Sequence, residues 1–112
     1  MENDLIQECI DLCLECAIIC ENCSTACLYE EDVKMMERCI MLDRDCKEIC
    51  ILTAGAITRD SEFTQEFCTL CAEICDACAD ECEKHEAEHC KVCAEVCREC
   101  SEACRNVSNE AA

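Results

Sequence analysis

The stretch CTLCAEICDACADEC, residues 68–82, sets a cysteine at every third or fourth position and contains neither glycine nor proline. Its frame, C-x2-C-x3-C-x2-C-x3-C, averages 3.5 residues per step, so on an α-helix all five thiols fall along one narrow seam. On a strand they would scatter over both faces. The same frame recurs at residues 13–27 and 90–104, a repeat of spacing more than of sequence.

Working outward, the chain has no proline and one glycine, Gly55, and the residues off the seams are mostly Glu, Lys, Arg and Ala, which favour helix. Breaks in the pattern predict helices over about 4–29, 32–57, 61–84 and 86–107. Asp4 with Gln7 reads as a capping box for the first. The acidic run Glu30-Glu31-Asp32 suits the start of the second through the helix dipole, and Asp60 or Ser61 can cap the third. Residues 108–112 are expected to fray. Short connections between helices that each have one inward seam predict an all-α fold, an antiparallel up-and-down four-helix bundle with a cysteine-lined core. At 112 residues, the chain has room for a single domain spanning 1–112.

Of the 52% hydrophobic residues a large share is cysteine, 19 in all, whereas Leu, Ile, Val and Phe together number 22. That is close to the roughly one-fifth level at which strongly charged chains often stay disordered. With 27 acidic and 9 basic residues the formal charge is -18, which argues against nucleic acid or an anionic membrane as partner and for a cation. No apolar run approaches the ~20 residues needed to span a bilayer. A disulfide scaffold would bring an even cysteine count, loop-rich spacing and an export signal. The N-terminal MENDLIQECIDLC shows no basic segment followed by an apolar stretch, so a cytoplasmic protein with reduced thiols is expected.

Cysteine can serve as a small buried hydrophobe, but nineteen in register would make a thin, oxidation-prone core that leucine would fill better. Metal binding explains the pattern. Residues four apart on a helix have Cβ atoms ~5–6 Å apart, and two sulfurs on either side of one metal would sit ~4.6 Å apart if each bond were near zinc's ~2.3 Å. Eight Cys-x3-Cys pairs qualify: Cys9/Cys13, Cys16/Cys20, Cys23/Cys27, Cys46/Cys50, Cys71/Cys75, Cys78/Cys82, Cys93/Cys97 and Cys100/Cys104. Soft thiolates select Cu(I), zinc or iron–sulfur clusters. Monovalent ions can neutralise buried thiolates one for one, whereas a zinc with four thiolates keeps two negative charges in a low-dielectric core. Multiple Cu(I) ions per chain are therefore the favoured cargo. The alternatives are a metallothionein-like zinc or cadmium buffer and an iron–sulfur electron-transfer protein, although iron–sulfur ligand runs are loop motifs, unlike these helical frames. No nucleophile–base pair points to an enzyme.

Extending the seams beyond their cysteines distinguishes the two ends of the bundle. One gathers Met36, His85, Cys90 and His89, a soft thioether and two imidazoles; the other gathers Ile6, Ile57 and Thr64, with Phe63, Phe67 and Val107 nearby. Metal is expected to enter at the Met36/His85 end and to be blocked by an apolar plug at the other. On the second helix the seam reads Met36, Cys39, Asp43, Cys46, Cys50. Asp43 stands where a cysteine would fit, as a hydrogen-bond acceptor, a metal ligand, or a group rotated to solvent.

Repeated Cys-x3-Cys pairs on four helices, with His and Met near one end, resemble the cytosolic copper storage proteins of bacteria over essentially Cys9 to Cys104. The resemblance implies a four-helix bundle holding many Cu(I) ions in its core, a homotetrameric assembly, and a role in copper storage and detoxification with a copper chaperone as a possible partner. It assigns the eight pairs as principal ligands, with Cys39, Cys68 and Cys90 bridging neighbouring ions. The second helix departs from the pattern, because one pair and the lone Cys39 replace a full frame.

Overall fold

A computed structural model of the chain describes the backbone of residues 3–111 and the side chains of residues 4–109. It contains α1 (Asn3–Cys27), a 3-10 turn (Val33–Met36), α2 (Glu37–Thr58), α3 (Thr64–Cys82) and α4 (Glu88–Ala111). Each helix packs against its neighbours in sequence, and α1 closes the ring against α4. Thiol contacts give the direction: the end of α1 meets the start of α2 at Cys27 and Cys39, and the start of α1 meets the end of α4 at Cys9 and Cys104. The result is an antiparallel up-and-down bundle, 46 × 17 × 17 Å.

The helix ends differ from the sequence expectations, each for a local reason. The first helix stops at Cys27 rather than 29, and the amides of Leu28, Tyr29 and Glu30 tighten the exit by bonding three residues back. The expected helix start at residue 32 is a 3-10 turn, in which Met36 turns inward while Val33, Lys34 and Met35 stay exposed; the α-helix proper begins at Glu37. Asp60 does not cap α3. It sits at φ 53° and closes α2. Its amide bonds Ile57 O at 3.1 Å and the Ser61 amide bonds Ala56 O at 2.9 Å, the paired pattern of a Schellman end with Asp in the left-handed position usually given to glycine. Ser61 Oγ accepts from the Phe63 amide at 3.0 Å, so α3 starts only at Thr64. Gln7 makes no capping box with Asp4, because the helix has already begun at Asn3; its amide donates forward to Asp11 at 2.9 Å. Helix α3 ends at Cys82 rather than 84 and α4 begins at Glu88 rather than 86. The expected fraying from 108 is absent as far as Ala111, since Val107 and Ser108 are buried and Ser108 Oγ meets Thr69 Oγ1 at 3.0 Å. Ala112 lies outside the described residues.

Large aliphatic side chains are scarce inside. Ile40, Ile49, Ile57, Val96 and Val107 are buried, each contributing ~1.5–3 kcal/mol if fully removed from water, and between them the core is cysteine and alanine. Outside the core, Arg98 bridges Asp76, Asp80 and Glu83, and Arg105 meets Asp76 at 2.8 Å, tying α3 to α4. Lys47 and Glu21, 3.0 Å apart, join α2 to α1. Such solvent-facing pairs contribute ~0–1 kcal/mol each, so the interior decides stability.

Candidate metal centre

All nineteen cysteines are free thiols with 0% exposure, and they form one continuous column along the bundle axis. The 3.5-residue step places each helix's thiols on its inward seam, and the antiparallel arrangement brings four seams together. Within a helix, the Sγ atoms of Cys16/Cys20, Cys46/Cys50 and Cys71/Cys75 are 4.0 Å apart and those of Cys93/Cys97 are 3.9 Å apart. Contacts between helices are closer still: Cys46 to Cys75 at 3.6 Å, and Cys16 to Cys46, Cys39 to Cys82 and Cys9 to Cys104 at 3.7 Å. Helical spacing identifies the seams but says nothing of this cross-helix register.

Sets of four thiols lie with their sulfurs within 4.8 Å of one another. Toward the end containing Met36 are Cys23, Cys27, Cys39 and Cys90; further in are Cys20, Cys78, Cys93 and Cys97, then Cys16, Cys20, Cys46 and Cys97, then Cys16, Cys46, Cys50 and Cys75, and beyond them Cys13, Cys71, Cys100 and Cys104. The three middle sets share members, Cys20 and Cys97 linking the first two and Cys16 and Cys46 the last two. The centre of the column is thus a run of overlapping four-thiol groups. Cys68 has Thr64 one turn upstream in place of a thiol, and its sulfur partners are Cys104 and Cys9 from α4 and α1.

Asp43 does not rotate to solvent. It is fully buried; Oδ1 accepts from the thiols of Cys78 at 3.2 Å, Cys93 at 3.3 Å and Cys82 at 3.9 Å, and Oδ2 from Cys39 at 3.9 Å. Burial first, then the charges of Cys93, Cys78 and Cys39, pushes its carboxyl up to about 11, so in the metal-free protein it is protonated at neutral pH. Burial and the charge of Cys39 likewise push Cys90 up to about 12 and raise Cys27. Metal has to displace protons here.

At the Met36 end of the column Met36 itself is 6% exposed and packs against the buried core. The histidines separate. His89 Nδ1 stands 3.5 Å from Cys23 Sγ and 3.6 Å from Cys90 Sγ, while its Nε2 is 2.8 Å from Glu30 Oε2. His85 Nε2 pairs with Glu81 Oε2 at 2.9 Å, and among the described residues no hydrogen bond joins it to a thiol. The step from Cys82 to His85 crosses the end of α3, so His85 lies in the turn beyond the helix, whereas His89 lies inside α4 beside Cys90. Sequence reasoning missed Glu30 and Glu81 as imidazole partners. Glu30 is part of an acidic run that reads equally well as a helix start, and nothing in the spacing separates the two roles.

At the opposite end Ile57 and Val107 are buried, and Ile6 and Phe67 pack against the core. Thr53, unremarked in the sequence, is also fully buried, its hydroxyl donating to Phe67 O at 3.4 Å. Phe63 is no part of this plug: it precedes α3 and is 53% exposed. Thr64 directs its hydroxyl to Ser61 O at 2.7 Å, turning away from the column.

Comparison with known proteins places this arrangement. A family model described as Copper storage protein (Csp) matches residues 2–109. Among solved structures, the Cu(I)-bound copper storage protein BsCsp3 of Bacillus subtilis is 43% identical, with 93% of this chain and 98% of that chain covered and a TM-score of 0.88. A cytosolic copper storage protein from Streptomyces lividans, carrying five coppers, is 39% identical over 95% of this chain and 93% of its own, with a TM-score of 0.92. The cysteine-rich protein YhjQ of Bacillus subtilis is 44% identical over 67 residues, and the match spans 60% of this chain and 62% of that relative's length. The chain belongs to the copper storage protein family.

Proposed function

We propose that this chain stores Cu(I) in the cytoplasm, binding many ions through its core thiolates and so keeping free copper from other thiols. The observation that carries the reading is the single column of nineteen fully buried cysteines in overlapping four-thiol sets. The Cys-x3-Cys pairs are its principal clamps: in Cys16/Cys20, Cys46/Cys50, Cys71/Cys75 and Cys93/Cys97 the sulfurs, now 3.9–4.0 Å apart, need to open by roughly half an ångström to sit either side of one ion, a shift that side-chain rotation supplies. Cys39, Cys68 and Cys90 bridge neighbouring ions, and Met36, His85 and His89 act at the entrance. Asp43 serves as a hydrogen-bond partner or ligand within the column. The whole of residues 1–112 is one metal-binding domain with no catalytic role, assembled as a homotetramer and supplied by a copper chaperone.

Zinc is the second reading, because four sulfurs within 4.8 Å suit a tetrahedral ion. Charge argues against it, because a zinc with four thiolates keeps two negative charges in the buried column, whereas Cu(I) can neutralise thiolates one for one. Titration of the reduced protein under anaerobic conditions separates the two. Copper storage requires a Cu(I) capacity well above the eight pairs, held against a strong Cu(I) chelator. Saturation after a handful of ions, or stronger retention of zinc than of copper, would sink the proposal.

A further inference from the structure

Carboxylates hold the two open-end histidines in different ways. His85 pairs with Glu81, a side chain 8% exposed that is also shared with Arg38 at 3.4 Å and Lys84 at 3.6 Å, so its imidazole belongs to an ion-pair cluster. His89 pairs with Glu30 from the turn after α1, and no basic side chain among the described ion pairs competes for that carboxylate. The two ring nitrogens of His89 face different chemistry: Nε2 meets a carboxylate oxygen at 2.8 Å, and Nδ1 meets two sulfurs at 3.5 and 3.6 Å. An ionised carboxylate only accepts hydrogen bonds, so the nitrogen facing it carries a proton, and Nδ1 is the nitrogen left to face the two sulfurs.

We infer that Glu30 is a positioning residue for metal entry: it fixes His89 in the Nε2–H tautomer and aims the Nδ1 lone pair between Cys23 and Cys90. An imidazole nitrogen and two sulfurs then form a receiving site where the column meets the α1–α2 turn. The geometry is that of a ligating histidine oriented through its distal nitrogen by a carboxylate. Because Nε2 is already held by Glu30, an arriving soft cation finds Nδ1 beside the two sulfurs with no rotation of the ring needed. Glu81 does not do this for His85, whose other nitrogen has no thiol in hydrogen-bonding reach among the described residues.

The inference rests on the Cu(I) storage reading, and its test has an arm that does not. Histidine-labelled, metal-free wild type, E30Q and E30A are compared by 15N NMR, with the His89 signals assigned through H89A, and the same proteins are loaded with substoichiometric Cu(I) in a stopped-flow instrument. Wild type should show the Nε2–H tautomer. E30Q, whose amide oxygen still accepts from Nε2–H, should keep that tautomer and load at close to the wild-type rate. E30A should show mixed tautomers and a first loading phase slower by about tenfold, the usual cost of losing such a partner, with final capacity unchanged. An unchanged tautomer in E30A overturns the inference, as does a tautomer change with no change in rate. Equal slowing in E30Q and E30A also overturns it, because the charge of Glu30 would then be what matters. Failure of the wild type to take up Cu(I) would instead overturn the storage reading, leaving the tautomer assignment intact.

Discussion

The two ends of the thiol column are made of opposite materials. At one end His89 and Glu30 join sulfur, nitrogen and carboxylate into a continuous polar path from Cys23 and Cys90 to the partly exposed Glu30, near the buried Met36. At the other, Ile57 and Val107 are buried with Ile6 and Phe67 against them, and the buried Thr53 hydroxyl is spent on a backbone carbonyl. A soft cation meets sulfur and nitrogen donors at the first, whereas the second is lined, among the described residues, by aliphatic and aromatic side chains. The difference gives a symmetric-looking bundle a direction: one end is apolar, and at the other an imidazole links thiols to a carboxylate.

That separation can be broken most forcefully at the closed end. Val107→Asp puts an unpaired carboxylate at a site of 0% exposure. It should cost more than about 3 kcal/mol and abolish cooperative thermal unfolding of the metal-free protein; a melt close to wild type would show that this end is no structural plug. Next in size is the pH dependence that Asp43 contributes. Its folded carboxyl titrates near 11 and its unfolded one near the ordinary Asp value, so between them the unfolded state gives up a proton that the folded state keeps. Metal-free stability should fall as pH rises from 5 to 7, by up to about 1.4 kcal/mol per pH unit from this group. Asp43→Asn should flatten that slope in denaturant titrations at the two pH values, and an unaltered slope would refute the assignment. The smallest effect belongs to the open end. Replacing Met36 and His85 together with alanine should slow copper loading severalfold, about 1 kcal/mol in barrier, with most of the capacity kept. Loading at the wild-type rate would remove both residues from the entrance and leave His89 to act there alone.

How far the sequence could be read follows from what a spacing pattern encodes. A 3.5-residue step defines a seam on one helix, so the inward cysteines, the four helices and the place of Asp43 on the α2 seam were all legible. A step pattern has no meaning past the end of its helix. Extrapolation from Cys82 overvalued His85 after α3 had stopped, and extrapolation in the other direction enlisted Phe63 before α3 had begun. Helix ends were misread because side chains such as Asp60 have two uses. An aspartate can cap the next helix or adopt the left-handed conformation that finishes the last one, and the backbone bonds of Ser61 and Asp60 to α2 decided for the second. The short sulfur contacts between Cys46 and Cys75, or Cys16 and Cys46, depend on how helices are rotated and shifted against each other, and that information is not held in any one segment.

Complete burial of the thiols also determines what the rest of the cell can learn from this molecule. Where one Cu(I) takes the place of one thiol proton, the formal charge of -18 stays as it was, and every exposed side chain keeps its surroundings. An empty store and a nearly full one then present the same outer face, with equal migration in an electric field and equal attraction for passing cations. Nothing along the sides of the bundle can act as a gauge, so a partner that must tell full from empty has to inspect the mouth.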